Sequence, residues 1–217
     1  MKILDKILNI LYPPVCGFCN KLNNNWLCCN CLNKINYLKT SNIEDYQSTN
    51  FYFKQHFYLF KYEDEIRKQI INYKFNEKSY LYKTFSQLFK SNFTFKKFIS
   101  NYDCILSVPI HKKRMHTRGY NQSKLIAKDI ARYFGKPYYD DVLLKTENIV
   151  AQSTLSKEAR QVNVTNVFSV QNHKKIINKK IIVFDDIFTT GATTNECAKI
   201  LISSGAAEVG IVTIAKD

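Results

Sequence analysis

The sequence predicts an α/β fold, a mainly parallel sheet flanked by helices, with a small metal-binding module at the amino end. Apolar runs of strand length alternate with segments of helical spacing along most of the chain, a pattern typical of a parallel sheet covered on both faces. Two C-x-x-C pairs stand within the first 31 residues. A chain of 217 residues can bury one good core and a small appendage.

The amino-terminal segment has an apolar stripe of helical spacing, formed by Ile3, Leu4, Ile7, Leu8 and Leu11. Asp5 and Lys6 interrupt its apolar character, so we expect no secretory signal there. No apolar run approaches the roughly 20 residues of a membrane span, and we expect a cytoplasmic protein. The stripe suits either a peripheral contact with the inner face of the membrane or packing within the protein.

The four cysteines of the two C-x-x-C pairs are candidate zinc ligands: Cys16, Cys19, Cys28 and Cys31. Two such pairs can place four thiolates tetrahedrally around one Zn²⁺. Four protein ligands leave no open coordination position, so we expect the zinc to be structural. Two redox pairs or an iron–sulfur site are the alternatives. Cys29 directly follows Cys28 and is badly placed to share the same tetrahedron.

The predicted elements divide the chain into a zinc-finger module, 1–39, and an α/β domain, 51–217, joined by a polar linker. In the α/β domain we predict strands at 57–62, 104–110, 142–144, 167–170, 181–184 and 209–214. We predict helices at 63–75, 80–98, 119–133 and 193–203. The chain shows no internal repeat.

Two adjacent carboxylates, Asp185 and Asp186, follow the apolar run 181–184. A loop of small residues comes next and leads into a predicted helix: Thr189, Thr190, Gly191, Ala192 and Thr193. Ligands of open α/β sheets bind at the carboxyl ends of strands, and N–H groups at a helix start suit a phosphate. The carboxylates suit ribose hydroxyls or Mg²⁺. The alternative is an ordinary strand–turn–helix with an acidic turn.

This order of strand, acid pair, Thr/Gly loop and helix resembles the loop that binds phosphoribosyl pyrophosphate (PRPP) in type I phosphoribosyltransferases. The resemblance implies that Asp185 and Asp186 contact the ribose 2- and 3-hydroxyls and that the loop wraps the 5-phosphate. It also implies that Mg²⁺ accompanies PRPP and that a second loop holds the pyrophosphate. The residues of this chain at that second loop are Pro109, His111, Lys112, Arg114 and Arg118. A solvated basic loop, with a structural role for His111, is the alternative.

Three further segments, 62–75, 108–123 and 152–164, extend the resemblance. Together with the cysteine pairs and the Thr/Gly loop, they are similar to the ComF family over about 12–215. The resemblance implies a role in natural transformation, in which single-stranded DNA is brought into the cytoplasm beside an ATP-dependent, ComFA-like helicase. Asn121 has two alternative interpretations, contact with a ligand or capping of a helix. Arg160 is open to ligand contact or a salt bridge that holds a loop.

The charge balance favours a polyanionic partner. The formal net charge is +14, from 32 Lys and Arg against 18 Asp and Glu, although a compositional bias over the whole chain is the alternative. Aromatic and basic residues interleave before and within the first predicted strand of the α/β domain: Tyr52, Phe53, Lys54, His56, Phe57, Tyr58 and Lys61. Such interleaving suits single-stranded DNA, and strand core is the alternative. Lys21, Trp26 and Lys34 are a second candidate surface.

The sequence therefore predicts a protein that binds PRPP with Mg²⁺ and single-stranded DNA during DNA uptake. One rival is a working phosphoribosyltransferase that makes a nucleotide from PRPP and a base or amine. The other is a PRPP-sensing regulator that binds DNA. The sequence is compatible with a homodimer.

Overall fold

The computed structural model describes residues 13–47, 50–76, 78–145 and 167–217. The amino-terminal apolar stripe, the 152–164 segment and Arg160 lie outside the described residues. Among the helices of these ranges, none combines the length and the apolar character needed to cross a membrane.

The centre of the fold is a five-stranded sheet with the order β1-β2-β7-β6-β3. Its strands are β1 (Lys39–Asp45), β2 (Gln55–Lys61), β3 (Cys104–Ser107), β6 (Lys180–Phe188) and β7 (Glu208–Lys216). β2, β7, β6 and β3 are parallel, and only β1 is antiparallel to its neighbour. β4 (Leu143–Lys145) and β5 (Phe168–Val170) form a separate antiparallel pair. The predicted mainly parallel sheet is confirmed.

The helices cover both faces of this sheet. They are α1 (Cys29–Leu38), α2 (Asp64–Phe75), α3 (Leu81–Lys90), α4 (Phe93–Ser100), α5 (Lys112–Arg118), α6 (Gln122–Tyr133) and α7 (Ala192–Ser203). Because side chains alternate along a strand, Ile182 and Phe184 of β6 pack with α2, α3, α4 and α6, whereas Ile181 and Val183 pack with α7. Burial on both faces explains the continuous apolar run of β6.

Three predicted segments differ from the structure. The single helix expected at 80–98 is two helices, because the Asn92 side chain accepts a hydrogen bond from the Phe95 N–H at 2.8 Å and caps α4. Residues 40–45 of the expected linker, together with the last residue of the expected zinc-finger module, form β1, which pairs with β2. The expected basic loop after β3 contains the short helix α5.

The cysteine-rich segment packs against α3. The Thr84 hydroxyl donates a hydrogen bond to the Trp26 carbonyl at 2.9 Å, and the Lys83 ammonium lies 4.1 Å from the centroid of the Trp26 ring. Cys16 and Leu27 belong to the same buried cluster as the apolar residues of α3. The cysteine-rich segment therefore shares a core with the sheet domain.

Candidate functional site

The two carboxylates lie in the last residues of β6, whose pairing continues to Phe188. Asp185 Oδ1 accepts hydrogen bonds from the Ser123 hydroxyl at 3.0 Å and from the Asp186 N–H at 2.8 Å. The Asp186 carboxylate pairs with the Lys74 ammonium at 2.8 Å. The acid pair is thus held between the end of α2 and the start of α6.

The environment of Asp185 disfavours its charge. Burial raises the pKa of Asp185 to about 7, and the neighbouring negative charge of Asp186 acts in the same direction. The Asp186 N–H, the Lys74 charge and the Ser123 hydroxyl oppose that rise only in part. Asp185 therefore changes charge near neutral pH, and a cation or hydroxyl donor placed beside it would favour the ionised form.

The Thr/Gly loop connects β6 to α7 and requires glycine at its turn. Gly191 has φ of +74°, a conformation that side chains disfavour. A Cβ at this position would also lie 2.5 Å from the Phe188 ring. The Gly191 carbonyl accepts hydrogen bonds from the Thr194 hydroxyl at 3.0 Å and the Asn195 N–H at 2.8 Å. These bonds fix the loop at the first turn of α7.

The loop and the first carboxylate line one open pocket. Its lining residues include Asp185 and all five predicted loop residues, Thr189, Thr190, Gly191, Ala192 and Thr193. The first N–H groups of a helix have no partner within the helix, and the helix dipole gives this end a partial positive charge. A pocket built in this way suits an anion of phosphate size beside a carboxylate that can take a hydroxyl.

The basic segment lies at the same edge of the sheet. The Val108 N–H donates to the Phe184 carbonyl at 2.9 Å, which fixes Pro109 beside the end of β6. Of the predicted residues beyond Pro109, Lys112 and Arg114 belong to α5, whereas His111 is half-buried just before it. Arg118 is half-buried, and its guanidinium lies 4.7 Å from the centroid of the Phe75 ring. None of these residues lines the pocket of the Thr/Gly loop; Pro109 lines a neighbouring pocket instead.

Asn121 acts as a helix cap. Its side-chain oxygen accepts a hydrogen bond from the Lys124 N–H at 3.1 Å, and its amide nitrogen donates to the Val108 carbonyl at 3.0 Å. Asn121 thereby ties the start of α6 to the end of β3. The capping alternative that the sequence leaves open is confirmed.

Sequence reasoning misses two residues that contact the acid pair, Lys74 and Ser123. The helical pattern of 63–75 puts Lys74 on a face away from the core, and the packing of that helix near the end of β6 is not visible in a linear pattern. Ser123 lies two residues after Asn121, which caps α6. Its place in the first turn of a helix that begins near a strand end is a signal that could have predicted its contact with the acid pair.

The four predicted zinc ligands form a cluster. The Sγ atoms of Cys16, Cys19, Cys28 and Cys31 all lie within 4.8 Å of one another, and those of Cys19 and Cys28 are 3.8 Å apart. A tetrahedral site with Zn–S bonds of about 2.3 Å requires S–S separations near 3.8 Å, so the cluster fits zinc. Cys29 is exposed and lies outside the cluster, as expected.

The cysteine cluster also favours a thiolate. Although burial raises the pKa of Cys16, hydrogen bonds from the backbone N–H groups of Cys28, Cys19 and Phe18 outweigh it and lower that pKa to about 6. Cys31 has a raised pKa, through burial and through hydrogen bonding with the other thiols. Bound zinc would replace these S–H contacts with metal–thiolate bonds.

Most of the aromatic residues expected to bind DNA around β2 belong to the core. Phe53, His56, Phe57 and Tyr58 are buried, so the interpretation of this run as a nucleic-acid surface is wrong for them. Tyr52 is 47% exposed. The strand-core alternative explains the run, because both faces of β2 are covered.

Comparison with known proteins finds a family match in the carboxyl-terminal part of the chain. Residues 121–217 match the family model described as "Phosphoribosyl transferase domain". The matched range contains the acid pair, the Thr/Gly loop and α7, so the candidate site lies within the part of the chain that is similar to this family.

Relatives of the chain narrow this class. "Competence protein F" of Haemophilus influenzae is 30% identical over 52% of this chain and 50% of its own length. "DNA utilization protein YhgH" of Escherichia coli O157:H7 is 31% identical over 50% of this chain and 47% of its own length. "Competence protein ComFC" of Bacillus subtilis is 28% identical over 73% of this chain and 63% of its own length. The chain spans about half the length of the first two relatives.

This chain is a homologue of the competence protein F, ComFC and YhgH proteins. The resemblance to the ComF family predicted from its sequence is confirmed.

Proposed function

We propose that this protein binds PRPP with Mg²⁺ at the end of β6 and handles single-stranded DNA during DNA uptake in the cytoplasm. One observation supports the ligand most directly: Asp185 and the Thr/Gly loop line the same pocket within a phosphoribosyltransferase domain. The names of the relatives, which refer to competence and to DNA utilization, support the setting.

Each part of the pocket has a role in this proposal. The N–H groups of 189–193 and the Thr hydroxyls bind the 5-phosphate, and Asp185 and Asp186 accept hydrogen bonds from the ribose hydroxyls. Mg²⁺, when bound with PRPP, neutralises charge on the pyrophosphate. Lys74 now holds the Asp186 carboxylate, so ligand binding requires that this ion pair be shared or broken.

The basic segment after β3 supplies positive charge for the pyrophosphate. His111, Lys112, Arg114 and Arg118 follow Pro109 at the edge where β6 ends. Arg can hold phosphate oxygens through two parallel hydrogen bonds, whereas Lys acts as a point charge. We propose that these side chains turn toward the pyrophosphate when PRPP occupies the Thr/Gly loop.

In the proposed cellular role, the net positive charge favours DNA, and the zinc centre stabilises the fold without taking part in chemistry. An ATP-dependent helicase of the ComFA type is the proposed partner. The proposal also includes peripheral contact with the inner face of the membrane and the formation of a homodimer.

Calorimetric titration of PRPP in the presence of Mg²⁺ tests the ligand assignment. We expect the double variant Asp185→Asn/Asp186→Asn to lose at least about 100-fold in affinity, because several hydrogen bonds to charged groups are weakened. The variant Asp45→Asn/Glu208→Gln makes the same change in charge at the opposite edge of the sheet and should retain the affinity. Undiminished binding by a correctly folded Asp185→Asn/Asp186→Asn variant would refute the assignment.

Phosphoribosyl transfer to an acceptor is the second candidate function. A second pocket at the end of β3 favours it, lined by Ser107, Pro109, Asn121, Tyr138 and Leu143 among others. Such a pocket could hold a planar acceptor near the sugar. Release of pyrophosphate from PRPP on addition of a base or amine, followed across a panel of acceptors, would establish turnover; a panel without release would leave binding alone.

A further inference from the structure

An aromatic and basic groove lies on α4 and the end of α6, away from the pocket described above. We name it the Phe93 groove; it is lined by Phe93, Lys96, Lys97, Ile99, Phe134 and Lys136. Phe93 is 69% exposed, although phenylalanine side chains of this fold are otherwise mostly buried. A single exposed ring is ordinary on a protein surface, but an exposed ring that lines a groove together with several lysines is a candidate ligand contact.

Charge in the Phe93 groove has one sign. Three of its lining residues are lysines, and no acidic side chain lies among the lining residues within the described ranges. The Lys97 ammonium lies 4.6 Å from the centroid of the Phe93 ring. In this arrangement the ammonium group can bind a phosphate, and the exposed ring can stack on a flat apolar group.

The aromatic surface continues beyond the groove. Tyr133 is 61% exposed, and its ring centroid lies 5.0 Å from that of Phe134. The Lys90 ammonium lies 5.3 Å from the centroid of the Tyr133 ring, but it is ion-paired with the Asp129 carboxylate and so differs from Lys97 beside Phe93. Tyr133 thus extends the exposed aromatic surface for a second base, while the positive charge for phosphates comes from the lysines of the Phe93 groove.

We propose that the Phe93 groove binds single-stranded nucleic acid, with a base stacked on Phe93 and phosphates at Lys96 and Lys97. This inference rests on the proposed function and gives its DNA partner a location. Double-stranded DNA hides the faces of its bases and cannot stack on the ring. A membrane is a poorer fit, because the other exposed residues of α4 are polar (Thr94, Lys96, Lys97 and Ser100) and leave no apolar face to insert.

The Phe93 groove and the PRPP pocket lie at opposite edges of the sheet. α4 leads to Asp103, whose N–H donates to the Lys180 carbonyl at the start of β6, whereas Asp185 lies near the end of that strand. Five residues of extended chain correspond to about 17 Å. The two ligands should therefore bind together without competing.

Fluorescence anisotropy with a labelled oligothymidylate tests the groove. We expect Phe93→Ala to weaken binding roughly 5- to 150-fold, the range for loss of one stacked base, and Phe93→Tyr to restore it. Phe93→Leu should remain weak, because it keeps apolar surface but cannot stack. Phe75→Ala is the matched control: Phe75 is 62% exposed but lies beside Arg118 near the PRPP edge, and its loss should leave oligothymidylate affinity unchanged.

The salt dependence of binding tests the lysines. Lys96→Gln/Lys97→Gln should lower the slope of log affinity against log salt by roughly 0.7 for each phosphate that the variant no longer neutralises. Lys174→Gln/Lys179→Gln makes the same change in charge at exposed positions elsewhere and should leave the slope unchanged. All groove variants should bind PRPP as the unmodified protein does.

The outcomes separate this inference from the proposed function. If the unmodified protein does not bind oligothymidylate, the DNA part of the proposed function fails, and the inference fails with it. If it binds but Phe93→Ala and Lys96→Gln/Lys97→Gln retain full affinity, only the groove assignment is overturned. The same holds if these variants lose binding to anionic phospholipid vesicles while keeping oligothymidylate affinity.

Discussion

Asp185 combines a half-buried carboxyl with a second carboxylate one residue away. In the unfolded chain its pKa returns to the ordinary range of aspartate, near 4, whereas folding raises it to about 7. The folded state therefore binds this proton more tightly than the unfolded state. Ionisation of this carboxyl therefore destabilises the fold. The destabilisation is absent below about pH 4, increases between about pH 4 and pH 7, and reaches its full value above about pH 7.

Asp185→Asn should therefore stabilise the protein at high pH. The Asn oxygen can still accept the hydrogen bonds from Ser123 and from the Asp186 N–H, while the burial of charge and the repulsion from Asp186 are removed. We expect a gain of roughly 2 kcal/mol at about pH 8, measured by denaturant unfolding. The gain should disappear near pH 4, and equal stabilisation at both pH values would show that Asp185 is not the titrating group.

The acid pair shows what a sequence can and cannot supply for a site. The doublet and the Thr/Gly loop are adjacent in the chain, so spacing alone predicts that Asp185 and the loop meet. Lys74 comes from a helix more than 100 residues earlier, and its approach to Asp186 depends on the packing of α2 on the sheet. Contacts made by tertiary packing have no local signal.

At the scale of elements, the order β6–loop–α7 is predictable, because a buried apolar run and a helical pattern flank a small-residue turn. α7 is predicted nearly to its bounds, whereas β6 runs four residues beyond its predicted end, so the acid pair lies in the strand and not in the turn after it. β1 escapes prediction for the opposite reason. Its sequence, KTSNIED, is polar and contains little of the β-branched and aromatic residues typical of strands. It forms a strand because it pairs with the edge of β2.

Gly191→Ala should damage the turn between β6 and α7. The variant places a side chain at positive φ and drives a Cβ into the Phe188 ring, so both the free energy of unfolding and PRPP affinity should fall. Gly135→Ala is the control, since Gly135 also has positive φ but no atom within 4 Å of an added Cβ. Gly135→Ala should lose about 1–2 kcal/mol, the cost of the left-handed conformation, and Gly191→Ala should lose more. Equal losses in urea unfolding would show that the Phe188 contact is unimportant.

At the scale of the whole molecule, the cysteine-rich segment and the α/β domain form one packed body. Gly17 fits against α3 so closely that a Cβ there would lie 2.3 Å from Thr84 Oγ1. Cys16, Leu27 and Ile35 are buried in the same cluster as Phe85 and Leu88 of α3. A short cysteine-rich segment of this kind usually needs a metal to fold, so we expect its contribution to the shared core to depend on zinc.

Loss of zinc should therefore lower the stability of the whole chain. We expect Cys16→Ser to release zinc and to reduce the melting temperature in a single transition, because the exposed interface includes residues of α3 as well as the cysteine-rich segment. Zinc content by atomic absorption and scanning calorimetry measure the two effects together. Cys29→Ser, at an exposed cysteine outside the cluster, should keep both zinc and melting temperature. A zinc-free Cys16→Ser protein whose main transition stays at the original temperature would show that the two parts fold independently.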